Sequence, residues 1–287
     1  MAGSPEYAPV GAPKKRFRVS TVLIYVMLIV MAVVMIVPFA WMLSSSLKLN
    51  KDVFSFPMEW IPSNPQWSNY IKIWQQIPLL RFIWNTLFLS VVVTFLQVLT
   101  SSFAAYAFAK LRFKGRDFLF LAYVATIAVP WQSYMVPQFA MMRSMGLNNT
   151  HLAIICLQAF TAFGVFMMRQ FFRSVPDELC EAARIDGLSE YGIWARIMVP
   201  LSKPAMVTLV IFTFVTTWND FLGPMIYLTD KNLKTVQIGL RMFISQYSAE
   251  YGLIMAASVV ALIPVLALFL ALQRYFVQGI ATSGIKG

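Results

Sequence analysis

Charge is scarce in this sequence: Asp, Glu, Lys and Arg make up 12% of its 287 residues, where an ordinary soluble domain carries about a quarter. With 59% hydrophobic residues, that scarcity excludes a water-soluble globular protein. There are two cysteines, Cys156 in an apolar block and Cys180 in a loop between blocks, and this placement gives no disulfide framework. The single histidine, His151, stands beside a helix start and supports neither a metal centre nor a proton relay. No His, Cys and carboxylate constellation exists to carry a membrane enzyme. The pattern G-x-x-x-x-G-K-[ST] is absent, so the chain has no phosphate-cradling loop of that kind.

What is present is a series of long apolar blocks. Crossing about 30 Å of hydrocarbon takes about 20 helical residues. Six blocks reach that length, near 20–43, 83–108, 118–139, 152–172, 205–228 and 253–275. Unpaired backbone groups are so costly in lipid that blocks this long are helices, whereas a barrel needs alternating segments of about ten residues. The expectation is an all-α, six-span membrane protein with a basic, disordered tail over 1–19, a membrane domain over 20–276 and a short tail over 277–287. Lys14, Lys15, Arg16 and Arg18 precede the first span, which raises a signal peptide. The block is too long and lacks a small-x-small cleavage site, so it reads as a retained helix.

The formal charge of +11 is an orientation signal. Fifteen of the 23 Lys and Arg residues fall on the side of the N-terminus and eight on the other, which places both termini on the cytoplasmic side. No basic stripe on a soluble domain exists to meet a nucleic acid. The outer segment 48–80 carries Trp60, Trp67 and Trp74. These rings suit either sugar stacking or interface anchoring, and anchoring is the commoner use. Pro38, Pro130, Pro137 and Pro264 sit inside or at the ends of spans and favour kinks. Asp220 is the only acidic residue within an expected span, beside Trp218 and Asn219. An ionisable group at membrane depth is a candidate for pathway lining, although near a helix end it can also be wet or bonded to backbone. Trp131, beside Pro130, is a candidate for sugar contact.

The longest internal loop, 173–204, reads as two short helices. Ser174 suits a cap, Asp177 stands three residues later, Pro176 fits a first turn and Gly187 supplies the stop. Pro176, Leu179, Cys180, Ala183 and Gly187 form a narrow stripe of small or apolar groups, rimmed by Asp177, Glu178, Glu181, Arg184 and Asp186. An ion pair from Glu181 to Arg184 is available within the helix. The second piece starts at Ser189, carries Ile193, Trp194, Ile197 and Met198, and ends at Pro200. Periodicity alone leaves docking to a partner and packing on the spans equally open.

Glu181-Ala182-Ala183, three residues, Gly187, nine residues, Ile197, one residue, Val199-Pro200 resembles the signature loop of binding-protein-dependent ABC importer permeases. That pattern has Glu-Ala-Ala, Gly, Ile and Leu-Pro, so Val199 is the one departure. Met167 to Phe172, Trp218 to Phe221, and Gln273 to Gly279 with Ser283 to Gly287 are similar to the carbohydrate branch, in particular the smaller maltose-type permease. The resemblance implies that Glu181, Ala182, Ala183, Gly187, Ile197 and Pro200 couple the chain to an ATPase, with Gly279, Gly284 and Lys286 in a tail that reaches the same partner. It also implies a second permease subunit, a dimer of ATP-binding subunits that holds the ATP and Mg, an extracytoplasmic solute-binding protein and an oligosaccharide cargo. The chain itself is then not an enzyme and binds no cofactor. The rival class is an ion-driven secondary transporter, which calls for buried ionisable groups and broken helices. Polyamine, phosphate and peptide importers share the loop motif.

Overall fold

The computed structural model describes residues 19–244 and 249–284. Of the tail expected over 1–19, residues 1–18 lie outside them, as does Lys286, while Val19 opens the first helix. The all-α expectation holds: among the described residues the only β pairing is an isolated bridge between Ile244 and Ala249.

The chain opens with α1 (Val19–Ser46), crosses a loop holding α2 (Asn69–Gln76), and enters the longest central helix, α3 (Leu79–Lys110). Then come α4 (Arg116–Ala125), α5 (Met135–Ser144), α6 (His151–Gln158) and α7 (Ala162–Ser174). The loop after α7 folds as α8 (Asp177–Ile185), α9 (Glu190–Ile193), a π-helical stretch (Trp194–Met198) and α10 (Val199–Leu201). The last four helices are α11 (Lys203–Trp218), α12 (Leu222–Tyr227), α13 (Val236–Arg241) and α14 (Tyr251–Gly284). Gly279 and Gly284, expected in a separate tail, belong to the backbone of α14.

Among the described residues, Ser20–Ser46, Leu79–Lys110, His151–Ser174 and Tyr251–Arg274 are each long and apolar enough to cross a membrane. A fifth crossing arises if Glu190–Leu201 and Lys203–Trp218, bent by 81°, are taken as one. The expected third span, 118–139, is not one helix. α4 gives way to 3-10 turns at Thr126–Ala128 and Trp131–Ser133 before α5 begins. Pro130 is the cause: it lacks an N–H and forces the preceding residue out of the helical region, and Val129 is extended at φ −86°, ψ 112°. The expected fifth span, 205–228, likewise divides into α11 and α12, because Pro224 has no N–H to offer the Asp220 carbonyl.

α3 is the centre of the bundle, with α7 and α11 against it, while α14 packs on α1 and α11. Gly164 lets α7 come this close, since a Cβ there would meet Thr161 Cγ2 at 2.7 Å and collide with Ser101. At the end of the bundle that carries Trp60, Trp67 and Trp74, Phe82, Trp218, Val236 and Leu253 form one buried cluster. At the opposite, basic end, Tyr106, Phe172, Cys180, Ile193, Met198 and Leu209 form another. Arg169 is buried there, donating to the Phe108 carbonyl (3.1 Å) and to Asp117 (3.0 Å) with its guanidinium 3.8 Å from the Phe120 ring centre.

Candidate functional site

Two places in the molecule gather the residues singled out in the sequence. The first is the loop at the basic end. The N-cap of α8 is Pro176 and no side chain caps it; the Ser174 hydroxyl bonds back to the Phe171 carbonyl instead. Gly187 stops the helix at φ +82°, with its own N–H on the Arg184 carbonyl (3.0 Å) and the Leu188 N–H on the Ala183 carbonyl (3.0 Å). This is a left-handed closure for which glycine is best suited. Ser189 caps α9 by accepting from the Gly192 N–H at 3.3 Å.

Only part of the small-residue stripe faces outward. Cys180 and Ala183 are buried, with the Cys180 thiol 3.8 Å from the Met198 sulfur. The exposed row of α8 is Glu178, Glu181, Ala182 and Ile185, the last 87% exposed. These positions follow the i, i+3, i+4, i+7 spacing of one helix face. Ala183 therefore serves internal packing, and Ala182 stays available. Ile197 and Trp194 are half-buried against the cluster beneath, and Pro200 is exposed.

The anticipated ion pair from Glu181 to Arg184 does not form. Arg184 turns to Glu190, donating at 2.7 and 3.3 Å, and Glu190 also accepts from the Tyr106 hydroxyl of α3 at 2.5 Å. A second tie joins Lys110, at the end of α3, to Asp177 (2.5 Å) and to the Val175 carbonyl (2.6 Å). The hydrogen bond from Lys110 holds the Asp177 carboxyl below its ordinary range. Arg184 does the same for Glu190 through its hydrogen bonds, outweighing the opposing effect of burial, with Tyr106 adding to it. These two ties fix both ends of α8 to α3. Between them lies a cleft of about 350 Å³ lined by Lys110, Arg112, Glu181 and Glu190 among others.

The second place is a cavity of about 540 Å³ toward the other end, within the roughly 300–1,000 Å³ usual for small-molecule sites. Trp131, Asn219 and Asp220 line it, together with Tyr134, Gln138, Gln158 and Tyr227. Trp218 does not. It is 1% exposed, stacked 5.7 Å from Phe214, and donates its indole N–H to the Ala261 carbonyl at 3.2 Å.

The cavity sits where three helical runs break: between α4 and α5, between α6 and α7, and between α11 and α12. Side chains satisfy backbone groups that the breaks set free. Gln97 and Thr100 of α3 donate to the carbonyls of Gln158 (2.6 Å) and Ala159 (2.8 Å). Asp220 accepts from the Gly223 N–H (3.1 Å) and from the Gln158 amide (2.7 Å). Irregular backbone at membrane depth is tolerated where it is buried in protein or lines a cavity, and both conditions are met here. Sequence reasoning missed the amides Gln97, Gln138 and Gln158. The signal was there, because an uncharged amide inside an apolar block must find partners just as a carboxylate must. Among the described residues no group of three His, Cys, Asp or Glu could hold a metal ion.

Residues 8–282 match the family model described as "Binding-protein-dependent transport system inner membrane component". The arabinooligosaccharides transport system permease protein AraQ of Halalkalibacterium halodurans is 36% identical over 79% of this chain and 81% of its own length. The lactose transport system permease protein LacG of Rhizobium radiobacter is 32% identical over 93% and 97%. A solved bacterial ABC transporter involved in the import of the acidic polysaccharide alginate superposes with a TM-score of 0.79 at 23% identity, covering 93% of this chain and 100% of that one.

Proposed function

Since this chain belongs to the family of binding-protein-dependent transport inner-membrane components, as a carbohydrate ABC importer permease, we propose that it forms half of the path of an oligosaccharide and transmits to it the work of ATP hydrolysed by a separate subunit. The observation that carries this reading is the presentation of α8. Its outer row, Glu178, Glu181, Ala182 and Ile185, is exposed, while its inner row is packed and its two ends are tied to α3. A charged helix face with a small residue at its middle, held rigidly at the cytoplasmic surface, suits docking into a groove of a partner ATPase.

In this assembly a second permease completes the path, a pair of ATP-binding subunits holds the nucleotide and Mg, and a solute-binding protein delivers the sugar from outside. Glu181 pairs with a basic residue of the ATPase, Ala182 keeps the contact close, and Gly187 sets the turn. Ile197 braces the second piece against the cluster beneath, Pro200 stands exposed at its end, and the end of α14, with Gly279 and Gly284, runs toward the same partner. Closure of the ATPase pair then shifts α8 as a unit and biases a two-state arrangement of the helices.

Glu181→Lys and Gly187→Val are expected to abolish sugar-stimulated ATP hydrolysis of the reconstituted importer while leaving membrane insertion intact. Normal stimulation in both variants overturns the assignment. Uptake that persists in vesicles loaded with a non-hydrolysable ATP analogue and collapses with an ionophore points instead to an ion-driven carrier.

A further inference from the structure

The cavity at the three helix breaks has a distinctive chemistry: its lining holds one carboxylate, Asp220, and no Lys, Arg or His. We infer that it is a subsite for an uncharged sugar and that it discriminates against anionic glycans. The inference rests on the carbohydrate-permease reading above and deepens it by naming the class of sugar.

The polar groups left open match what a glycan offers. The indole N–H of Trp131 can only donate, and it donates to Gln138 Oε1 at 2.8 Å, with the Tyr227 hydroxyl 3.2 Å from the same oxygen. That contact fixes which way the Gln138 amide points. Its NH₂ is left without a partner among the described residues. The Tyr134 hydroxyl also lacks one, and this side chain is 41% exposed. The Asp220 carboxylate accepts from Gln158 Nε2 and the Gly223 N–H, with the Leu222 N–H also directed at it, fewer than the roughly four bonds its two oxygens can take, and so retains capacity for another. The cavity thus offers both donors and acceptors, as sugar hydroxyls require. Trp131, Tyr134 and Phe221 provide ring surface for the C–H face of a pyranose or furanose.

Charge supplies the discrimination. A uronate or sulfonate entering this space meets Asp220 out of bulk water with no cation in the lining to offset it, which acts as a repulsive element against that class. A polycation would find one carboxylate and the Tyr134 oxygen to donate to, but would leave the Gln138 NH₂ facing like polarity. A neutral glycan satisfies every open group.

The test uses the importer assembled from this chain, its partner permease and the ATPase pair in nanodiscs, without the solute-binding protein. Isothermal titration calorimetry is run with arabinotriose, raffinose, cellotriose, trigalacturonate and spermidine. At least one neutral trisaccharide is expected to bind tenfold or more tightly than trigalacturonate and spermidine. Trp131→Ala should weaken that binding by tenfold or more. Tyr134→Lys, at an exposed position, should tighten trigalacturonate binding by about tenfold. Trigalacturonate or spermidine binding as tightly as the best neutral trisaccharide overturns the inference. So does the absence of any neutral trisaccharide binding, even where the Glu181→Lys assay shows normal dependence on coupling. Sugar binding that is intact while Glu181→Lys and Gly187→Val leave stimulated hydrolysis unchanged overturns only the coupling assignment.

Discussion

Ala182 and Ala183 are neighbours in sequence with opposite fates. Ala183 is 5% exposed above Met198 and Ile193, and Ala182 faces outward. Ala183→Leu forces extra carbons into a filled space and should destabilise the chain by about 1–3 kcal/mol, seen as a lower melting temperature of the purified subunit. Ala182→Leu should leave that temperature unchanged and weaken ATPase binding in a pull-down. Equal effects of both substitutions on stability would contradict the assignment of the two faces. The Glu190 carboxylate has its own signature. Its folded value lies below the ordinary 4.5 because of Arg184, so its contribution is complete above that ordinary value and is lost as pH falls through the folded one. Hydrogen exchange in α8 and α9, corrected for intrinsic rate, should be flat from pH 7 to 5 and rise only below about 4.5. Glu190→Gln should raise it throughout. The spaced motif was legible from Glu181 to Pro200, but which alanine faces which way was not. That depends on where Met198, in the π-helical stretch, and Phe172, in α7, lie once the loop has folded back on the bundle.

At the scale of elements, the breaks are more informative than the helices. Pro130 read as a kink in the sequence and is a full interruption, with Val129 extended and two separate 3-10 turns around it. Pro130→Leu should let α4 and α5 join and narrow the cavity. The expected result is loss of sugar uptake at normal membrane insertion, and normal uptake would show that the break is dispensable. Long apolar blocks such as α1, α3 and α14 were plain from hydropathy, because length and composition determine them. The breaks at Thr161 and Asn219 were not, since the side chains that satisfy their backbone groups belong to α3 and to the breaks themselves. Gln97 lies 61 residues from the Gln158 carbonyl to which it donates. Periodicity within a window has no access to such a pair.

For the molecule as a whole, α3 is the common member. It binds the basic-end loop through Tyr106 and Lys110 and supports the cavity wall through Gln97 and Thr100. The same loop runs on directly into α11, so the load of the proposed mechanism has two routes, α3 and α11. Tyr106→Phe combined with Lys110→Met should reduce the sugar moved per ATP by about fivefold, the low end of usual coupling energies. An unchanged ratio would mean that the load travels through α11 alone.

The bend of 81° between Glu190–Leu201 and Lys203–Trp218 gives that second route the geometry of a crank. A push along the axis of the first arm has almost no component along the second, so it cannot slide α11 through the bundle like a piston. It swings α11 about the corner at Ser202. The far end of the arm lies about 24 Å away by helical rise over 16 residues, and at that tip stand Asn219 and Asp220, where a small rotation at the corner becomes the largest sideways travel on the helix.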